Sequence, residues 1–195
     1  MKKDIILAGV GGQGILSIAA SIGFAAIEMG LHIKQAEVHG MSQRGGDVHS
    51  NLRLSDKPIY SDLIPAGGAD LILSVEPMES LRYLPLLSDE GWVVTNINPY
   101  KNIPDYPDIE GVLNEIRALP KHLLLDANKT AKDLGSGRSA NMVILGAAAP
   151  FLDIEYKYLE NGVRKLFGNK GKDVVELNLK ALEKGNEIAM DYLKK

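Results

Sequence analysis

The chain has 195 residues, with 22 Lys+Arg against 25 Asp+Glu and a formal net charge of −3. Its 45% hydrophobic and 24% charged residues are the proportions of a soluble globular protein, and mild acidity without a basic run argues against nucleic acid as the main partner. It contains no cysteine, which excludes disulfides, zinc–thiolate sites, a cysteine nucleophile and any iron–sulfur cluster ligated by this chain itself.

In chain order, Ile5-Ile6-Leu7-Ala8 is a short continuous apolar run, the pattern of a strand buried on both faces. Gly9-Val10-Gly11-Gly12-Gln13-Gly14 follows as a turn, and residues 15–29 read as a helix stopped by Gly30. Residues 33–38 are a second strand, so the opening reads as a βαβ unit. Residues 39–46 have no periodicity. Val48, Ser50, Leu52 and Leu54 alternate with His49, Asn51 and Arg53, the period of a strand. Ser55-Asp56-Lys57-Pro58 turns the chain, and Ile59-Tyr60 is expected to begin a return strand. That makes a hairpin inserted in, or edging, the parallel sheet. Strands are expected at 70–75, 92–97 and 123–126, and helices at 77–87 and 111–119. Three further helices follow at 139–149, 155–167 and 171–193. Trp92 is expected in the core.

This order predicts a Rossmann-like α/β fold, its mostly parallel sheet covered by helices on both faces. It carries an antiparallel hairpin insertion and a helical C-terminal region at 152–195 of a single 1–195 domain. On the last helix Val174, Asn178, Ala181, Gly185, Ile188 and Tyr192 form one row. Small residues there admit a close backbone, either within the chain or from a partner subunit. The most apolar stretch, 15–31, is broken by Ser17, Ser21 and Glu28 and is too short to span a bilayer. The apolar run after Met1-Lys2-Lys3 is too short for a signal peptide, so the default location is cytoplasmic. His32, His39, His49 and His122 show no metal-ligand spacing.

Gly9-x-Gly11-x-x-Gly14 fits the dinucleotide fingerprint in its context, after a strand and opening a helix. Gly9 allows the tight turn, Gly11 lets phosphates approach the backbone, and Gly14 lets helix and strand pack closely. The helix N-terminus adds a partial positive charge. Glu37, 23 residues after Gly14, stands where an acidic partner for a ribose is expected. The chain then enters Glu37-Val38-His39-Gly40-Met41-Ser42-Gln43-Arg44-Gly45-Gly46, dense in polar groups. Arg44 suits a carboxylate or phosphate, Ser42 and Gln43 offer hydrogen bonds, and Gly45-Gly46 suits an anion nest. An interface loop without a small ligand accounts for the same residues. Arg138-Ser139, after Gly135-Ser136-Gly137, is a second anion candidate, and an ordinary helix cap accounts for Ser139 equally well.

The two motifs together resemble the gamma-type subunit of 2-oxoacid:ferredoxin oxidoreductases, especially the beta subunit of the indolepyruvate enzymes. Ile59-Tyr60-Ser61, Ala69-Asp70-Leu71, Glu76-Pro77, Asn141 with Leu145-Gly146, and Asn178-x-x-Ala181-x-x-x-Gly185 extend the resemblance over essentially the whole chain. It implies a subunit of a complex that decarboxylates a 2-oxoacid on thiamine diphosphate. Electrons pass through iron–sulfur clusters to ferredoxin, and an acyl-CoA is released. Thiamine diphosphate, Mg and the clusters are then expected on a larger partner subunit. The present chain has no cysteine and lacks the Gly-Asp-Gly…Asn-Asn signature of thiamine enzymes. The candidate ligand- or anion-binding residues are Gly9, Gly11, Gly12, Gln13, Gly14, Glu37, His39, Ser42, Gln43, Arg44, Gly45 and Gly46. No catalytic or metal-binding residue is assigned. The alternative is an independent dinucleotide-binding oxidoreductase or sensor.

Overall fold

The computed structural model describes residues 1–40, 45–101 and 103–194. The first apolar run extends into β1 (Lys2–Val10). Ile5 and Leu7 point to one face and Ile6 and Ala8 to the other, all fully buried. A strand buried on both sides needs no polar alternation, which is why its sequence is a plain run. α1 (Ile15–Glu28) leads to β2 (His32–His39). β3 (Asp47–Ser55), β4 (Ala69–Ser74), β5 (Leu87–Asn96) and β6 (His122–Leu125) complete the described strands. Their order across the sheet is β2-β3-β1-β4-β5-β6. β1, β4, β5 and β6 run parallel, while β3 is antiparallel to both β1 and β2.

The sheet is therefore mostly parallel with an antiparallel insertion, as the element order predicts, but the hairpin is made differently. Its arms are β2 and β3, paired from His32↔Ser55 to His39↔Val48. Residues 59–60 form no strand. The backbone just beyond them is engaged elsewhere: the Arg53 guanidinium donates to the carbonyls of Ser61 (3.1 Å) and Leu63 (3.0 Å), and the Ile64 N–H donates to Asn51 Oδ1 (3.0 Å). Carbonyls held by side chains are not free to build a ladder.

α2 (Pro77–Arg82) and α3 (Ile109–Arg117) cover one face of the sheet. α2 stops short of the expected 77–87 because Pro85 lacks the N–H a continuing helix needs; residues Leu84–Leu86 form a 3-10 turn, and β5 begins at Leu87. α4 (Ala127–Asp133) has no counterpart among the expected elements. It is short and polar, buries only Ala127 and Ala131, and is started by Asp126 accepting from the Lys129 N–H at 2.9 Å. α5 (Ala140–Ala148) lies on the other face, with every residue but the first buried. Trp92 is half-buried there, its ring 4.4 Å from that of Phe151.

α6 (Tyr156–Phe167) packs on α1, and α7 (Lys172–Leu193) packs on α5. Glycines set both crossings. A Cβ on Gly162 would lie 2.3 Å from the Ser21 carbonyl oxygen of α1, and one on Gly185 only 2.0 Å from the Val143 carbonyl oxygen of α5. The Asn178–Ala181–Gly185 row of α7 is thus spent inside the chain, and no partner subunit is needed to explain it. Among the described residues no helix is long and apolar enough to cross a membrane.

Candidate functional site

The glycine turn sits at the carboxyl end of β1, beside the point where the sheet changes winding direction. From β1 the chain winds through α1 toward β2 on one side, and from β4 it winds through α2 toward β5 on the other. Open α/β sheets hold ligands in the crevice beyond such a point. Gly9 is packed tightly: a Cβ there would lie 2.4 Å from Val75 Cγ2. Gly14 is left-handed at φ 84° and caps α1 without a side-chain hydrogen bond. A Cβ on Gly14 would lie 2.4 Å from Asn141 Nδ2, which donates to the Gly14 carbonyl at 3.1 Å. Gly12, at φ 101°, faces open space. The Gln13 side-chain oxygen accepts from the Val10 N–H at 2.8 Å, so it closes the turn from within.

The structure joins the two motifs that the sequence separates by more than 20 residues. Gly11 N–H donates to the Gly46 carbonyl at 2.8 Å, and Gly45 N–H to the Gly11 carbonyl at 3.4 Å. The neck of the second loop is closed by Gly40 N–H donating to Asp47 O at 3.0 Å. Ser42, Gln43 and Arg44 lie outside the described residues. Glu37 and His39, both from β2, meet at 2.8 Å between Oε1 and Nε2. They line a cavity of about 260 Å³ with Gly11, Gly12, Leu16 and Val48.

This arrangement departs from the dinucleotide pattern. β3 lies between β1 and β2, and Val48 stands directly beside Gly9 in register. Glu37 is therefore two strand spacings from β1, roughly 10 Å, where the fingerprint requires one. Spacing along the chain does not reveal this, because an inserted strand changes neighbours without changing sequence distance.

Polar residues outside the two glycine-rich motifs complete the crevice. Asn96, the last residue of β5, accepts from the Ala127 N–H at 3.1 Å and donates to Asn128 Oδ1 at 3.2 Å. With Gln13, Arg138 and Asn141 these two asparagines line a cavity of about 200 Å³. Next to it Glu76, fully buried, caps α2 by accepting from the Glu79 N–H at 2.8 Å. Its other oxygen accepts from the Tyr100 N–H at 3.3 Å and from the Tyr106 hydroxyl. Burial pushes the Glu76 carboxyl above its ordinary range, and the hydrogen bonds from Tyr106, Glu79 and Tyr100 pull it only partly back. A strand-end Asn and a Glu-Pro helix start were the available signals.

Glu76 thereby anchors the segment that carries Tyr100 and Tyr106. Tyr106→Phe is expected to destabilise the chain by about 1.5–3 kcal/mol, the range for a hydrogen bond to a charged group. A carboxyl raised in the fold favours folding in its protonated form, a contribution lost as pH climbs through the folded value. The Tyr106→Phe loss should therefore be larger near about pH 8 than near about pH 4, as read by urea unfolding. Equal losses would show that the hydroxyl does not serve the ionised carboxylate.

Comparison with other proteins agrees with this architecture. The family model for pyruvate ferredoxin/flavodoxin oxidoreductase matches residues 4–188. An indolepyruvate oxidoreductase subunit IorB of Archaeoglobus fulgidus is 35% identical over 201 residues, 97% of this chain and 96% of that one. The gamma subunit of a keto/oxoacid ferredoxin oxidoreductase from Geobacter sulfurreducens superposes with a TM-score of 0.70 at 25% identity, covering 97% of this chain and 99% of that one. The 2-oxoglutarate:ferredoxin oxidoreductase of Magnetococcus marinus, solved with 2-oxoglutarate, coenzyme A and succinyl-CoA bound, shares the fold with a TM-score of 0.75 at 24% identity; the match covers 97% of this chain and 31% of that one. The chain belongs to the pyruvate ferredoxin/flavodoxin oxidoreductase family, as a gamma-type subunit similar to the IorB subunit of indolepyruvate oxidoreductases.

Proposed function

We propose that this chain is the gamma-type domain, over residues 1–195, of a cytoplasmic thiamine-diphosphate-dependent 2-oxoacid:ferredoxin oxidoreductase. Its relatives favour indolepyruvate as the 2-oxoacid. The observation that carries the reading is the likeness to an indolepyruvate oxidoreductase subunit over nearly the full length of both chains. The chain's own residues do not fit the redox cofactors of such an enzyme. It has no cysteine for a cluster, and no group of three or more His, Asp or Glu among the described residues is placed to hold a metal. Thiamine diphosphate, Mg and the iron–sulfur clusters are therefore assigned to a larger partner subunit, which passes electrons to ferredoxin.

The contribution of this chain is the unit formed where Gly9, Gly11, Gly12, Gln13 and Gly14 meet Gly45 and Gly46. In this reading Glu37 and His39 border that unit toward the partner's active site or the path taken by coenzyme A, and Ser42, Gln43 and Arg44 are the further candidate binding residues of the second motif. Backbone N–H groups and Arg44 supply donors for an anionic substrate group, while the packed turn keeps their spacing rigid.

The test is reconstitution. The chain alone is expected to neither decarboxylate indolepyruvate nor reduce ferredoxin, and its addition to the larger thiamine/iron–sulfur subunit is expected to restore both. Turnover by the isolated chain would overturn the reading. So would a larger subunit that works equally well without it.

A further inference from the structure

α1 carries no charged residue before Glu28, its last position, whereas a helix at the surface of a soluble protein normally shows water a polar face. One side of it rests on the core through Ile15, Ile18, Ile22 and Ala26, and another is closed by α6, where Gly162 meets the Ser21 carbonyl. A further row, Leu16, Ala20, Gly23 and Ile27, has the i, i+4, i+7, i+11 spacing of a single stripe. This row runs along β2: a Cβ on Gly23 would lie 3.2 Å from Ile33 Cδ1, and Leu16 lines the cavity that holds Glu37 and His39. Leu16 is 53% and Ile27 58% exposed, so the large aliphatic side chains of the row are left in water.

β2 is an open edge beside that row. Among the described residues β3 is its only strand neighbour, and no residue of β2 is buried. Val38, on the face away from Ile33 and α1, is 47% exposed. Edge strands are usually kept short, bulged or interrupted by proline. The opposite edge, β6, has four residues. β2 has eight, contains neither Gly nor Pro, and pairs with β3 without a break in register. The aliphatic row and the open edge make one continuous flank.

We propose that this flank joins two copies of the chain across a two-fold axis, β2 of one beside β2 of the other, with the Leu16–Ile27 rows facing each other. Residues directly opposite in an antiparallel pair point to the same face, and a two-fold axis through the sheet preserves the face, so the pairing centres on a residue. Centred on Lys34 it opposes ammonium to ammonium, and centred on Glu37 carboxylate to carboxylate; centred on Gln35 it sets Glu37 against Ile33. Centred on Ala36 it sets the Gln35 amide against the Glu37 carboxylate, the Lys34 stem against Val38, and Ile33 against the His39 ring, with the small Ala36 at the axis. No like charges are then opposed, and each residue meets one that complements it, which is the self-complementarity a two-fold interface requires. The α1 helices lie over the same edge and cover each other's exposed aliphatic rows. A different chain would need a matching strand and a matching stripe; a second copy supplies both by symmetry. The pairing brings Gln35 of the second copy to Glu37, at the rim of the cavity beside the glycine turn. It goes beyond the family reading, because it concerns copies of this chain alone.

The experiment is sedimentation velocity on the full chain. A species of twice the 21.1 kDa chain mass is expected, in concentration-dependent equilibrium with the monomer. Ile27→Glu, which sets a charge in the aliphatic row, should weaken the dimer by about tenfold or more. Gln35→Glu, which turns carboxylate against carboxylate, should weaken it by about fivefold or more, whereas Gln35→Lys should hold or tighten it. Ile27 and Gln35 are exposed in the single chain, so each variant should keep the native circular-dichroism spectrum. A chain that stays monomeric up to about 100 µM overturns the proposal, as does a dimer indifferent to Ile27→Glu. Equal effects of Gln35→Glu and Gln35→Lys overturn the pairing of β2 with β2. A monomer that binds the larger thiamine/iron–sulfur subunit, and binds it less tightly as Ile27→Glu, gives the flank to that subunit and overturns the second copy as its occupant. A dimer that restores no turnover in the complex leaves this proposal standing and removes the family reading of the chain's role.

Discussion

Gly146→Ala is expected to destabilise this chain by more than about 3 kcal/mol. A Cβ at that position would lie 1.9 Å from the Leu182 carbonyl oxygen and 3.0 Å from the Asn186 N–H nitrogen of α7. Both are backbone atoms of a 22-residue helix and cannot rotate aside. On its other side α5 rests on the sheet, and its residues from Asn141 onward are buried, so it has nowhere to retreat. Overpacking of a core costs about 1–3 kcal/mol where side chains give way, and more where only backbone can move. Total stability of about 5–15 kcal/mol leaves little margin. Gly185→Ala should act alike, since its Cβ would meet Val143 O at 2.0 Å. The double variant should lose less than the sum, because one separation of the helices relieves both clashes. Gly168→Ala is the control: it has open space around it and an ordinary φ of −52°. It should shift stability by no more than about 1 kcal/mol. Urea titration followed by circular dichroism reads all four, and an unchanged midpoint for Gly146→Ala would refute the interlock.

Arg53→Ala is expected to cost about 3–5 kcal/mol, the range for removing one partner of a buried pair. Asp4 is fully buried, and Arg53 donates to it from Nε at 2.7 Å and Nη2 at 3.0 Å. Lys2 approaches the same carboxylate at 2.8 Å but is largely exposed. Burial pushes the Asp4 carboxyl up, yet the hydrogen bonds and charges of Arg53 and Lys2 outweigh it and hold it below the ordinary carboxylate range. A carboxyl lowered in the fold stabilises above its unfolded value and loses that contribution as pH falls through the folded one. Wild-type stability should therefore fall below about pH 4 partly through Asp4. In Arg53→Ala the slope should weaken, because the buried carboxylate then gains by taking a proton. Loss of Arg53 also frees the Ser61 and Leu63 carbonyls, so cleavage by a protease near Tyr60, 92% exposed, should quicken. Unfolding curves across that pH range, with limited proteolysis, check both arms. A pH slope identical in the two proteins would place the stabilisation elsewhere.

Most elements are legible locally because each is stated by nearby residues. The Ile5–Ala8 run, Gly30 after α1, the alternation through β3 and the Gly171 start of α7 are such signals. Errors fall where a distant partner decides. Residues 59–60 look like a strand, but Arg53 and Asn51 hold the backbone that follows them. α4 is too short and polar to show a period. The candidate site follows the same division. Both glycine-rich motifs are visible as strings, whereas their contact through Gly11 and Gly46 joins residues far apart in sequence. Asn96 and Asn128 carry no motif at all.

By itself the sequence determined the fold class, the absence of cysteine, and the two motifs that mark the family. Those are properties of composition and of residues within one turn or one strand, where local sterics and periodicity suffice. Only the tertiary structure decided that β3 separates Glu37 from the glycine turn and that Gly185 closes on α5 rather than on a partner. Each of these depends on which elements become neighbours, and burial of apolar surface chooses neighbours over the whole chain at once.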